Sequence, residues 1–347
     1  MFEKKKLKIP LDEFINNALY HPKFGYYMQK ISFEKDGDFI TAPNISKIFS
    51  EMILIWLVSA WKKIYKNKRI NIVELGAGNG DMMYQIVYSS KRFIDFHKKC
   101  NFIIFEKSPK LIKVQKEKLK NEKIKWLKNL DNLNNNPTIF LGNEFLDALP
   151  IKQYVKRKNI WYEKYIIKNG RTYSFSHVKC NIKKIEKNLG FKISSNQNFL
   201  EISFEEIKIL KKLNNIILKK GGSILLIDYA YLKNKMSDTL QAVKKHKKVS
   251  ILNNVGNSDI THLINIPFLK KIAKKLNLEL NYNTQRDFLL DLGILNRAEI
   301  LASNKNFLDK ANIFYRINRL IDKKQMGVLF KVMYFHKKTE SFKLGFK

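Results

Sequence analysis

Two cysteines in 347 residues, Cys100 and Cys180, are too few for a disulfide framework and cannot complete a four-ligand zinc site by themselves. Long apolar runs are lacking as well. The most extended, MILIWLVSA at 52–60, falls far short of the ~20 residues that cross a bilayer. The basic start, MFEKKKLKIPLDEF, has no apolar stretch behind it, so no secretory signal is read there and a reducing cytoplasm is expected. No Gly/Ser/Pro-rich linker divides the chain and no repeat recurs along it. The sequence also lacks a Gly-x-Ser-x-Gly elbow, a Walker A loop, a His-Glu-x-x-His pair and an Asn/Asp-Pro-Pro-Tyr segment. Its six histidines show no metal-ligand spacing, so no metal is expected. Arginine is scarce: it supplies eight of the 66 basic residues, and lysine the rest. A net charge of +35 would ordinarily suggest nucleic acid. Arginine, however, is the bidentate reader of phosphates and bases, and the lysines are spread along the whole chain. A bias in base composition explains that pattern, and no dedicated nucleic-acid site is expected.

What is present is a globular composition, 45% hydrophobic and 12% aromatic, enough for a large core and too aromatic for wholesale disorder. The first 65 residues read as helices and loops, with amphipathic stretches at 11–20 and 44–65. Short apolar strands then alternate with helices. INIVEL at 70–75 precedes a helical run to about 92, and NFIIF at 101–105 precedes a helix opened by Ser108-Pro109. TIFLG follows at 138–142, and a long helix at 204–220, stopped by two glycines, leads to SILLI at 223–227. A final strand is read at 326–335. This alternation predicts an α/β fold with a doubly wound, mostly parallel sheet covered on both faces. Residues 151–200 have strand-and-turn character and read as a β-rich insertion.

Several constellations could carry chemistry. In VELGAGNG, Glu74 lies two residues before Gly76, and Gly78 and Gly80 follow at alternate positions. The motif sits at a strand-to-helix turn, where glycines allow close backbone approach and free N–H groups meet a ligand. Glu106 ends the next strand. An acid there can accept both hydroxyls of a ribose, or it can cap the helix that begins at Ser108. Asn143-Glu144-Phe145-Leu146-Asp147 follows a strand of the same sheet. Its two carboxylates, three residues apart, would share a helical face and could hold a guanidinium, or they could stabilise a helix start. Tyr26 in GYY, with Thr41 and Pro43 in GDFITAP, could close over a pocket or form a pinned surface loop. Asp228-Tyr229 and 257–261 could line the crevice or form turns.

Taken in order, GYY, GDFITAPNIS, VELGAGNGD, NEFLDALP, LLIDYA, DTLQAVKKHK, SDIT and TQRDFLLDLGI resemble the MidA family of S-adenosylmethionine-dependent methyltransferases. The match runs from about 10 to 335. It implies a class I methyltransferase fold: a seven-stranded doubly wound sheet, a helical N-terminal region over 1–65 that closes the cofactor site, and a core over 66–347. The core would carry the insertion near 151–200 and a lid near 232–275. It implies S-adenosyl-L-methionine as cofactor, held by Glu74, Gly76, Gly78, Gly80 and Glu106, with Asn143, Tyr26, Thr41 and Pro43 around it. Glu144 and Asp147 would act on the acceptor. By the same resemblance, mitochondrial members are arginine methyltransferases that help assemble respiratory complex I. The implied acceptor is thus an arginine of the quinone-site subunit of the NADH dehydrogenase, and a homodimer stays open. A small-molecule methyltransferase and a non-catalytic assembly factor are the alternatives. The chain departs from the family where GAGNG replaces the common Gly-Pro-Gly-Arg-Gly, and where Asn44 follows Pro43.

Overall fold

The computed structural model describes residues 7–29, 41–170, 172–339 and 342–346. Seven strands follow one hydrogen-bonded path and are numbered in chain order: β1 Ile70–Leu75, β2 Cys100–Phe105, β3 Ile124–Leu127, β4 Thr138–Asn143, β5 Gly222–Tyr231, β6 Leu278–Thr284 and β7 Phe330–Lys337. Their spatial order is β3-β2-β1-β4-β5-β7-β6. Strands β1 to β5 pair in parallel, whereas β7 runs antiparallel to both β5 and β6. A two-residue strand, Ile264–Asn265, extends the edge of β5 as an eighth member. The sheet is therefore mixed, with one more strand than the seven expected. The final strand also begins later than its apolar sequence suggests, because Met326–Leu329 forms a helical turn first.

The strands are apolar on both faces because both faces are covered. Ile72 of β1, Leu225 and Ile227 of β5, and Val332 and Tyr334 of β7 point into one cluster. Their neighbours Val73, Leu75, Ile224, Leu226, Met333 and Phe335 point into the other. This is the period of two expected of a strand, with no solvated side. Helix Lys47–Lys63 dominates the first cluster and buries twelve of its seventeen residues. It is apolar nearly all round because the sheet lies on one side and the C-terminal residues on another. Trp56 Nε1 donates to Leu344 O at 3.2 Å. The expected helix at 44–65 is in fact two, Ala42–Ile45 and Lys47–Lys63, broken at Ser46, whose hydroxyl caps the second by accepting from Ile48 N.

Residues 152–202 form a separate antiparallel sheet of four strands, and Leu7–Pro10 pairs with its strand Ile160–Asn169. The N-terminal region is thus not wholly helical. A small three-stranded sheet, with strands Gln241–Lys244, Lys247–Val249 and Asp259–Thr261, lies beside helix Leu11–Tyr20 in a third apolar cluster. These additions cover the carboxyl ends of the parallel strands. No described helix is long and apolar enough to cross a membrane.

Strand β5 starts on a glycine for a steric reason. Gly222 has φ +136°, and a Cβ there would lie 2.0 Å from Thr138 O of the neighbouring strand. Gly222→Ala should therefore destabilise the protein by about 2–4 kcal/mol, measured by urea denaturation, with an unchanged fold by circular dichroism if it folds at all.

Candidate functional site

β1 and β4 are neighbours at the point where the strand order reverses, and ligands bind outside the carboxyl ends of the strands at such a point. A cleft opens there. After β1 the chain turns through Gly76 and Gly78 into helix Asp81–Ser90, with left-handed Gly80 as its N-cap. Gly76 leaves space that a side chain would close: a Cβ would come within 3.0 Å of Phe145 Cδ2. Gly76 and Gly78 line the cleft, whereas Gly80 shapes the turn behind it.

Glu74 is 3% exposed and lines the cleft, and its Oε2 has no hydrogen-bond partner. Burial first, and then the charge of Glu106, push its carboxyl up to about 8. A buried acid with an open oxygen is a receptor for a cation or a donor. Glu106 uses Oε1 to accept from Lys107 N and Ser108 N, at 2.8 and 2.9 Å, and Oε2 to accept from Gln115 at 3.3 Å. It therefore does brace the helix start, yet it also lies on the cleft wall. Burial raises its carboxyl above the usual range, against the pull of these donors. Gln115 was not singled out in the sequence. It is fully buried, donates to both Gly78 O and Glu106, and receives Trp126 Nε1, so one amide ties the glycine loop to the acid of the next strand. Its single sequence signal is a glutamine on the inner face of a lysine-rich helix.

The second wall is the turn after β4. Asn143 Nδ2 donates to Glu144 Oε1 at 3.0 Å, while Asn143 Oδ1 is buried without a partner. Glu144 has φ +51°, uncommon for a residue other than glycine, and lines the cleft. Burial, followed by the charge of Asp228, pushes its carboxyl up to about 8, and the backbone of Ala42 opposes the shift. Asp147 is buried beside it, and burial with the charges of Asp228 and Glu144 raises its carboxyl well above the ordinary range. The turn rests on Asp228 at the end of β5, whose Oδ2 accepts from Phe145, Leu146 and Asp147 N at 3.1, 2.8 and 3.3 Å.

The N-terminal region closes the third side. Thr41 and Pro43 line the cleft. Tyr26 does not: it is 1% exposed within the third apolar cluster, and its neighbour Tyr27 faces the cleft instead. Tyr27 Oη donates to Asp259 at 2.7 Å, and Tyr20 Oη donates to Ala148 O at 3.0 Å. The two rings stack with centroids 5.6 Å apart. Residues 37–40 of GDFITAP lie outside the described residues.

The composition of this cleft inverts that of the chain. Glu74, Asp81, Glu106, Glu144, Asp147, Glu205 and Asp259 line it, against one lysine, Lys107, among the described residues. The geometry defines an α/β protein with a glycine-loop ligand site lined by carboxyl groups.

Comparison with known proteins narrows that class. Residues 52–283 match the family described as "putative S-adenosyl-L-methionine-dependent methyltransferase", and the chain belongs to that family. It is a methyltransferase, and its cofactor is S-adenosylmethionine. The chain is 28% identical to the zebrafish "Protein arginine methyltransferase NDUFAF7, mitochondrial", over 93% of this chain and 82% of that protein. It is 29% identical to the Caenorhabditis elegans homolog of that name, over 96% and 84%. A Burkholderia thailandensis structure, described as a "likely methyl transferase" and bound to S-adenosyl-homocysteine, superposes with a TM-score of 0.81 at 21% identity, covering 96% of this chain and 89% of the other. The residues present fit the cofactor. Glu74 offers an open buried oxygen to a cationic group, and the glycine loop leaves room that a Cβ would fill.

Glu74 binds its proton more tightly when folded, about 8 against 4.5 in its ordinary state, so stability of the ligand-free protein falls as pH rises across that window. Glu74→Gln should melt above wild type at pH 8–9, with the difference vanishing near pH 4. The same variant should bind S-adenosyl-homocysteine about tenfold more weakly or worse, by calorimetry. Tyr27→Phe should leave the melting temperature within about 2 °C while weakening the cofactor several-fold.

Proposed function

We propose that this protein transfers a methyl group from S-adenosylmethionine to an arginine side chain of a protein substrate. By the family resemblance, that substrate is the quinone-site subunit of the NADH dehydrogenase. The observation that carries the reading is the acidic cleft: a chain with 66 basic and 31 acidic side chains gathers carboxylates where the acceptor must enter. A guanidinium is a planar cation with five donors, and paired carboxylates hold it in a fixed orientation. The names of the relatives, protein arginine methyltransferases, support the same acceptor.

In this reading Glu74, Gly76 and Gly78 hold the cofactor with Asn143, and Glu106 receives a ribose hydroxyl. Gly80 shapes the loop. Thr41, Pro43 and Tyr27 exclude water from above, and Tyr26 anchors that cover in the apolar cluster. Residues 1–65 and 232–275 together close the site over the core. When bound, S-adenosylmethionine supplies a methyl group already activated on its sulfonium. The protein's task is then largely to orient the nucleophile and desolvate it. Glu144, with Asp147 beside it, orients the guanidinium, and a Glu144 carboxylate whose proton affinity is raised can take the proton that the nitrogen releases.

Because Glu144 titrates near 8 in the free protein and must be ionised to receive a cation, kcat/KM for the acceptor should rise with pH through about 8 and level off above it. Glu144→Gln should lower transfer by about 10²-fold or more and abolish that rise, while affinity for S-adenosyl-homocysteine changes less than about threefold. The assay is transfer of labelled methyl from S-adenosylmethionine into extract of a strain lacking the protein, with Gly78→Val as the inactive control. Label in one protein band, recovered as methylarginine, is the expected result. Label in small molecules alone, or undiminished transfer by Glu144→Gln, overturns the assignment.

A further inference from the structure

The function assigned above leaves one cleft acid, Asp259, without a role. It opens the strand Asp259–Thr261 of the small sheet beside helix Leu11–Tyr20, where it pairs with Val243. The strand alternates: Ile260 packs into the third apolar cluster, whereas Asp259 and Thr261 line the cleft. Aspartate is depleted from strands, and a buried carboxylate loses hydration that the fold must replace. Asp259 is nonetheless only 7% exposed. Tyr27 Oη donates to its Oδ1 at 2.7 Å and so fixes the rotation of the carboxylate.

This strand lies against the core turn that carries Glu144 and Asp147. His262 N, next after the strand, donates to Asp147 O at 3.1 Å, and Tyr20 Oη donates to Ala148 O at 3.0 Å. The electrostatics follow the same geometry. Burial and Asp228 do most to raise the carboxyls of Glu144 and Asp147, and Asp259 adds to both. Glu74, at the glycine loop, is raised by burial, then by Glu106, with a smaller contribution from Asp81. The acids of the cleft thus fall into two groups. One surrounds the glycine loop, and the other lies where the turn after β4, the tyrosines of the N-terminal region and the small sheet meet.

We infer that Asp259 is an acceptor-binding residue, so that the acceptor is held between the core turn and the sheet that covers it. The inference rests on the cationic acceptor proposed above. A guanidinium has donors on more than one edge, so Glu144 can take one edge and Asp259 another. The two carboxyl groups stand on separate elements, and a cation placed between them relieves their mutual repulsion. The covering sheet then supplies one of the groups that select the acceptor, besides excluding water. Were Asp259 there only to receive Tyr27, asparagine would replace it without loss, because its carbonyl accepts the same bond in the same shape.

The test is the labelled-methyl assay with Asp259→Asn and Asp259→Glu, run as initial rate against the concentration of extract from the strain lacking the protein. Asp259→Asn should need about tenfold more extract or worse to reach half its maximal rate, while that maximal rate falls less than about threefold. Its affinity for S-adenosyl-homocysteine, by calorimetry, should stay within about threefold and its melting temperature should not fall, which shows a folded protein with its cofactor half intact. Asp259→Glu restores the charge and should need less extract than Asp259→Asn. An unchanged half-saturating concentration in Asp259→Asn overturns the inference. So does an equal loss of cofactor affinity, which would place Asp259 with the cofactor. The chemical form of the label separates this outcome from the assignment beneath it. Label recovered as anything but methylarginine overturns the arginine acceptor, whereas methylarginine formed by Asp259→Asn at the wild-type half-saturation overturns the role of Asp259 alone.

Discussion

At the carboxyl end of β5 the buried carboxylate of Asp228 accepts backbone N–H groups from Phe145, Leu146 and Asp147 on one oxygen and from Tyr229 on the other. The second wall of the cleft depends on this arrangement. The turn it holds places Glu144 at a positive φ with its side chain in the cleft, and brings Asp147 beside it. A neutral side chain could accept fewer of these donors, and a shorter one could not reach the next strand. Burial raises the carboxyl of Asp228, and the backbone donors of Leu146 and Asp147 pull it back. The donors thus help one acid stay charged amid others.

That crowding of acids explains much else about the molecule. Burial and mutual repulsion disfavour charge on these acids, so in the ligand-free cleft their carboxyls hold protons more tightly. The compensation lies in the two apolar layers that cover both faces of the sheet and in the near-complete burial of helix Lys47–Lys63. A stable scaffold can tolerate a strained acidic cleft, and the cleft becomes favourable once a cation enters it. The lysine-rich exterior and the acidic interior are then separate matters. The exterior faces solvent, and the interior faces the positively charged cofactor and, in the function proposed above, a cationic acceptor.

The central strands were legible in the sequence because burial on both faces leaves unbroken apolar runs such as INIVEL and SILLI, bounded by glycines and helical patterns. The glycine loop was legible because its strand-to-helix context is local. Tyr26 and Tyr27 could not be separated in this way. Adjacent aromatics give no sign of which one faces the cleft, and only the packing of helix Leu11–Tyr20 turns Tyr26 into the core and Tyr27 toward Asp259. Gln115 was missed for a related reason. Its partners Gly78, Glu106 and Trp126 are scattered in the chain, and its own helix is otherwise a solvated run of lysines.

What the sequence determined by itself is what depends on near neighbours: apolar periods, glycines at a turn, and a cap such as Ser108. These follow from short-range sterics and hydrogen bonding, which hold wherever the segment sits. The tertiary structure alone decided which acids meet. Glu74, Glu106, Glu144, Asp228 and Asp259 come from five separate segments, and nothing local to any of them carries the field of the others. Electrostatic interaction acts through space, so their shared function exists only once the fold has closed around them.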